Sequence, residues 1–187
     1  SQVIRKLDLR VPAPAETLFA TTSSRPGGIA AAGEYIYAVK ANGYVTYSPG
    51  GAILTDSDFT YYTGATNTWD PVRRRVYHFR DGISPNDLHY DTLDAAGRVS
   101  GNGETPYHGD FDPRAPIRVS PDGSKVAIGS GVIFNASDLT KAATLSVTLA
   151  DMAWLGGLMT SIEAQGSTNT RVQRWTTAWA RDKSVIL

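Results

Sequence analysis

The 187-residue chain contains no cysteine, which excludes disulfides, thiolate-bound metals and a cysteine nucleophile, and leaves the redox compartment open. It lacks a charge imbalance as well. With 18 Lys and Arg against 18 Asp and Glu, no net positive field draws it to nucleic acid or to an anionic membrane surface. No apolar run approaches the ~18–20 residues that cross a bilayer, and the start, Ser1-Gln-Val-Ile-Arg-Lys6, has no apolar signal core. Neither nucleic-acid binding nor membrane insertion is expected. Helical signals are scarce: the best candidate, Leu139–Leu149, is interrupted by three threonines and shows no sustained three-to-four apolar spacing. A Gly-x-Ser-x-Gly elbow, a Walker loop and a dinucleotide fingerprint are also missing. Ser100-Gly-Asn-Gly103 and Gly129-Ser-Gly131 lack the following helix that would cradle phosphate, so they read as turns and nothing calls for a cofactor.

What the chain does contain is short strands and tight turns. Tyr35-Ile-Tyr-Ala-Val39, Tyr44-Val-Thr-Tyr47, Val76-Tyr-His-Phe79, Leu88-His-Tyr90 and Arg171-Val-Gln-Arg-Trp175 are rich in β-branched and aromatic residues. Between Ile117–Ser120 and Lys125–Gly129, Pro121 presets φ and Gly123 accepts φ > 0, so the chain reverses there. Ala41-Asn-Gly43 is a second strong hairpin signal. Hydrophobic residues make up 41% of the chain, enough for a sizeable core in one all-β unit spanning 1–187.

The strands group into about four antiparallel blades of four strands. The first runs from about Gly28 to Phe59, the second from about Asn67 to Gly101, the third from near Pro116 and the fourth from near Asp151. Val3–Leu9 and Thr17–Thr21 read as the outer half of a preceding blade. One residue from each expected second strand, Ile36, Val76, Val126 and Met159, gives intervals of 40, 50 and 33, close to the roughly 40–50 residues of a propeller blade. Ser-Pro pairs at Ser48, Ser84 and Ser120 recur every 36 residues, yet they fall after the third, second and first strands of their blades, so they mark no repeat.

The Ser120-Pro-Asp-Gly123 turn, followed by Gly129 and Asn135-Ala-Ser-Asp-Leu139, resembles the repeats of YVTN-type and WD40-like β-propellers. The resemblance implies that the first turn joins the two inner strands of a blade and the second leads to its outer strand. Ala32-Gly-Glu34, Asp70-Pro-Val72 and Leu155-Gly-Gly157 replace the first turn in the other blades. It implies a β-propeller or propeller fragment, part of a larger chain, serving as a non-catalytic module for a protein or carbohydrate ligand; by fold-level analogy the setting is a bacterial exported or surface-associated protein. Four blades and a half require closure, by a compact ring with the N-terminal segment as an extra strand, by residues outside this sequence, or by a second chain. The end blades then predict association.

Candidate chemistry centres on the connection after the second blade. His78 and His89 sit inside aromatic strands, where packing is the expected role, and no metal is assigned to the three histidines. Glu104-Thr-Pro-Tyr-His-Gly-Asp-Phe-Asp112 lengthens the blade spacing, and function concentrates on such loops. Tyr107, His108, Asp110 and Asp112 are therefore candidate ligand-binding residues. Glu104, Asp110 and Asp112 offer oxygen ligands but lack the order of a dedicated calcium loop. The alternative function is a propeller-type hydrolase or lyase at Tyr107–Asp112, with Asp110 and Asp112 as an acid/base pair. Trp69, Trp154 and Trp175 fall at packing positions, whereas Trp179, four residues after Trp175 across Thr176-Thr-Ala178, is placed in a turn and offered to ligand. Arg73-Arg-Arg75 reads as a solvated strand entry whose middle residue faces away from its neighbours.

Overall fold

In a computed structural model, which describes residues 2–40, 43–58, 66–80, 84–165 and 169–187, the described residues form strands and turns and no helix. The strands are β1 (Gln2–Leu7), β2 (Glu16–Thr22), β3 (Pro26–Ala32), β4 (Tyr35–Lys40), β5 (Gly43–Tyr47), β6 (Ile53–Asp58), β7 (Asn67–Asp70), β8 (Arg75–Phe79), β9 (Leu88–Leu93), β10 (Val99–Glu104), β11 (Ile117–Val119), β12 (Lys125–Ile128), β13 (Val132–Asn135), β14 (Lys141–Thr144), β15 (Asp151–Leu155), β16 (Leu158–Gln165), β17 (Asn169–Trp175) and β18 (Arg181–Ile186). They build four four-stranded antiparallel meanders, β3–β6, β7–β10, β11–β14 and β15–β18, after a two-stranded sheet, β1–β2. These are four propeller blades and a half, as expected. Ile36, Val76, Val126 and Met159 all fall in second strands, and the Leu139–Leu149 segment holds β14 and loop. Ala41, Asn42 and Phe59 lie outside the described residues.

Period-2 alternation explains the stacking of blades, because successive residues of an inner strand face opposite neighbours. In β4, Tyr37 and Val39 join Val76 and Leu93 of the second blade, while Ala38 packs with Ile4 and Ala20 of the half-blade. In β12, Val126 and Ile128 meet Tyr77 and Phe79, while Ala127 meets Met152, Met159 and Trp175. Both faces of these strands are dry, hence their nearly continuous apolar sequences. The first strands β3, β7 and β11 approach one another in succession and form the inner edge of the arc.

The turns behave as the residue chemistry requires. At Ser120–Lys125, Gly123 has φ +66°, its amide donates to the Ser120 carbonyl (2.8 Å) and the Ser120 amide donates to the Lys125 carbonyl (2.9 Å). The corresponding turn of the second blade is held by Asp70, whose Oδ1 accepts from the amides of Val72 (2.9 Å) and Arg73 (3.1 Å).

Two expectations change. The Arg73–Arg75 run alternates in direction as predicted, but it is not solvated. Arg73 Nε donates to the Gly123 carbonyl (2.8 Å) and Arg75 Nη1 to the Ala136 carbonyl (2.6 Å), latching blade two onto blade three. Arg74 turns the other way and donates to the Leu93 carbonyl (3.0 Å). Arg73 and Arg75 thus serve carbonyls of the next blade and Arg74 one of its own, each a backbone acceptor that needs a donor. Secondly, the N-terminal segment adds no strand to another blade to make a compact ring, since β1 and β2 form a sheet of their own. The far face of the fourth blade carries a cross-strand row, Ile162, Val172 and Val185, with Ile162 and Val185 exposed by 41% and 52%.

Candidate functional site

Antiparallel meanders place the first and third turns of every blade on one rim and the second turn, with the connections between blades, on the opposite rim. The described structure has a concave site on each rim, in different gaps between blades.

On the first rim, between blades three and four, lies a cleft of about 360 Å³. The β11–β12 turn contributes Asp122 and Lys125, the β15–β16 hairpin Trp154 and Leu158, and the β17–β18 turn Thr177 and Trp179. Trp179 adopts φ +62° at the tip of a closed turn: its amide donates to the Thr176 carbonyl (3.0 Å), and Thr176 Oγ1 accepts from the Ala180 amide (3.1 Å). One part of the indole packs on the core between the blades, the rest borders the cleft. Asp122 is fixed at the lip. Its Oδ1 accepts from the hydroxyls of Ser120 (2.6 Å) and Ser124 (2.9 Å) and from the Ser124 amide (3.0 Å). Those bonds, Ser120 foremost, lower its pKa to about 2, because each stabilises the carboxylate over the acid. The cleft thus combines two indoles, aliphatic surface, the Asp122 carboxylate and the Lys125 side chain.

On the second rim, between blades one and two, the interface turns polar. Tyr37 Oη donates to Asp91 Oδ2 (2.5 Å), which lies 3.3 Å from His78 Nε2. His78 stacks on His89, its directly paired neighbour across β8 and β9, with ring centroids 5.8 Å apart. Burial, then His78 and Arg80, push the His89 pKa down to about 3, so its imidazole is neutral. Glu104 is paired opposite His89 across β9 and β10, its Oε2 3.4 Å from His89 Nε2. His89 and Glu104 border a cavity of about 320 Å³ that Tyr44, Ser57, Arg80 and Asn102 complete. Asp87, just ahead of β9, accepts on Oδ1 from Thr105 Oγ1 (3.2 Å) and the Gly109 amide (2.6 Å).

The structure separates the residues singled out in the sequence. Trp179 lies at the first-rim cleft, whereas Tyr107, His108, Asp110 and Asp112 belong to the second rim. Tyr107 is a packing residue: its ring meets Phe111 edge-on at 4.9 Å, and its hydroxyl accepts from the Lys141 amide (3.0 Å). His108 is exposed, with Nδ1 3.8 Å from Asp87 Oδ2. Asp110 and Asp112 face solvent, and Asp112 pairs with Arg114. The polar gap itself, Tyr37, Asp87, His89 and Asp91, was not singled out as a site. Its signal is Asp87-Leu-His-Tyr-Asp91, in which every second residue is ionisable on a strand whose other face, Leu88 and Tyr90, is core.

No protein family and no curated protein matches the sequence. Solved structures do. The Dos1 propeller aligns over 100% of this chain and 52% of its own, with TM-score 0.67 and 12% identity. The C-terminal WD40 domain of Sif2 aligns over 97% and 53%, with TM-score 0.63 and 14% identity. A chain of the nidogen/laminin complex aligns over 92% and 68%, with TM-score 0.62 and 11% identity. These similarities establish the propeller fold, and the chain spans about half the length of the first two.

Proposed function

We propose that the chain is a recognition module whose ligand, a carbohydrate or an exposed segment of a protein, docks in the cleft between blades three and four. The observation that carries this reading is that Trp154 and Trp179 line one concave cleft together with the ionised Asp122 and with Lys125. Indole faces supply large, rigid contact area at low entropic cost, and the flanking charges fix orientation. The nidogen/laminin chain is a propeller in a protein complex, which fits the reading by fold alone. An extracytoplasmic or cell-surface bacterial setting accompanies it as part of the proposal.

The other reading, a propeller-type hydrolase or lyase at Tyr107–Asp112, needs converging carboxylates. The solvent-facing Asp110 and Asp112, and Tyr107 engaged in packing, favour recognition over catalysis. The test is indole fluorescence during titration with a panel of soluble oligosaccharides and short peptides. A saturable change abolished by Trp179→Ala, with the far-ultraviolet dichroism intact, supports the module. Saturation that survives Trp179→Ala and Trp154→Ala, or no saturation with any panel member, overturns this cleft as the docking site.

A further inference from the structure

At the edge of the cavity between blades one and two, which His89 and Glu104 line, stands a donor set that ligand recognition at the opposite rim does not use. Asp87, His89 and Glu104 each offer one ligand atom, and these atoms lie within 4.8 Å of one another. His89 is 5% exposed, and its Nε2 is buried with no hydrogen-bond partner among the described residues. A buried imidazole nitrogen with nothing to bond is costly, so its persistence needs an explanation. Glu104 Oε2 stands 3.4 Å away, which is roughly the spacing of two tetrahedral ligands each ~2.1 Å from a shared ion.

We propose that Asp87, His89 and Glu104 form a site for a divalent transition cation of the zinc class, bound in the gap between the first two blades. One imidazole nitrogen and two carboxylates make a borderline donor set that suits zinc better than calcium, which takes six to eight oxygens. The two carboxylates neutralise the charge of the ion, and Arg80 Nη1, 4.0 Å from Glu104 Oε2, helps to position that side chain. Asp87 is prepared for ligation. Thr105 and the Gly109 amide occupy its Oδ1, as the outer partners of a metal-binding carboxylate do, and leave Oδ2 on the side of His108. Three protein ligands leave a coordination position open toward the cavity. Exposed His108 is an outer neighbour here, and the core of the site is buried.

The experiment is calorimetric titration of the chelator-stripped 187-residue protein with Zn²⁺ alone, repeated with Ca²⁺, and the visible spectrum of the Co²⁺-loaded protein. The expected result is one Zn²⁺ per chain, a Co²⁺ spectrum of low-coordinate nitrogen and oxygen ligation, and little heat with Ca²⁺. Glu104→Gln, at a partly exposed position that keeps the side-chain shape, and His89→Asn should each weaken Zn²⁺ binding by about tenfold or more. His108→Ala should leave it nearly unchanged. No saturable Zn²⁺ binding, binding unaffected by Glu104→Gln in a protein with wild-type dichroism, or binding abolished by His108→Ala overturns the proposal. In the first case the three side chains are an ordinary buried polar cluster.

Discussion

A buried hydrogen bond joins Tyr37 of the first blade to Asp91 of the second, the phenol donating to the carboxylate at 2.5 Å. Both side chains are completely buried, so the carboxylate depends on protein donors for solvation. Tyr37→Phe keeps the ring, which stacks on Tyr44 at 5.5 Å, and removes the donor. Because charged partners make the stronger hydrogen bonds, the variant should lose about 1.5–3 kcal/mol in urea denaturation. A loss below ~0.5 kcal/mol would show that Asp91 is satisfied without it.

The contact between the turns of blades two and three is steric. A Cβ built on Gly123 lies 2.6 Å from the Val72 Cβ, and the residue has φ +66°, so Gly123→Ala meets both a clash and a left-handed backbone. The backbone alone costs ~1–2 kcal/mol. Adding Val72→Gly, which removes the clashing Cβ itself, should recover the steric part and leave the backbone part, which a double-mutant cycle on thermal unfolding resolves. Strict additivity would mean that the two turns do not touch in solution.

Acid should loosen the first-rim cleft at a defined place. Asp122 has its pKa lowered to about 2 from an ordinary 3.8. A depressed carboxylate contributes stability that is present above the unfolded value and lost as pH falls through the folded one. Asp122→Asn should therefore remove part of the stability loss seen between pH 3.8 and about 2, and do little to its slope near neutrality. Denaturation midpoints across that range, wild type against variant, check it; parallel curves would contradict it.

The apolar row Ile162–Val172–Val185 on the far face of blade four should make this chain associate at high concentration. Sheet faces of this kind are buried against a neighbouring blade in a propeller. Light scattering coupled to size exclusion should show a mass above 20.1 kDa that rises with concentration and returns to the monomer in Ile162→Lys. A strict monomer at all concentrations would show that the row is tolerated in water.

Local chemistry determined most of the fold in the sequence itself. Turn residues such as Pro121, Gly123 and Asp70 each act on backbone a few positions away, and alternation within a strand is local as well. The blades, their order and the half-blade therefore follow from short stretches. Trp179 was legible for the same reason, as a turn aromatic after a strand. The polar gap between blades one and two was decided only by tertiary structure. Tyr37 meets Asp91 across 54 positions, Glu104 meets His89 only once β9 and β10 take their register, and in the next gap, between blades two and three, Arg73 finds the Gly123 carbonyl 50 residues away. In the linear chain each is one ionisable or aromatic residue in an ordinary strand or turn. The stacking of blades removes water from between them and so makes each of them dependent on its partner.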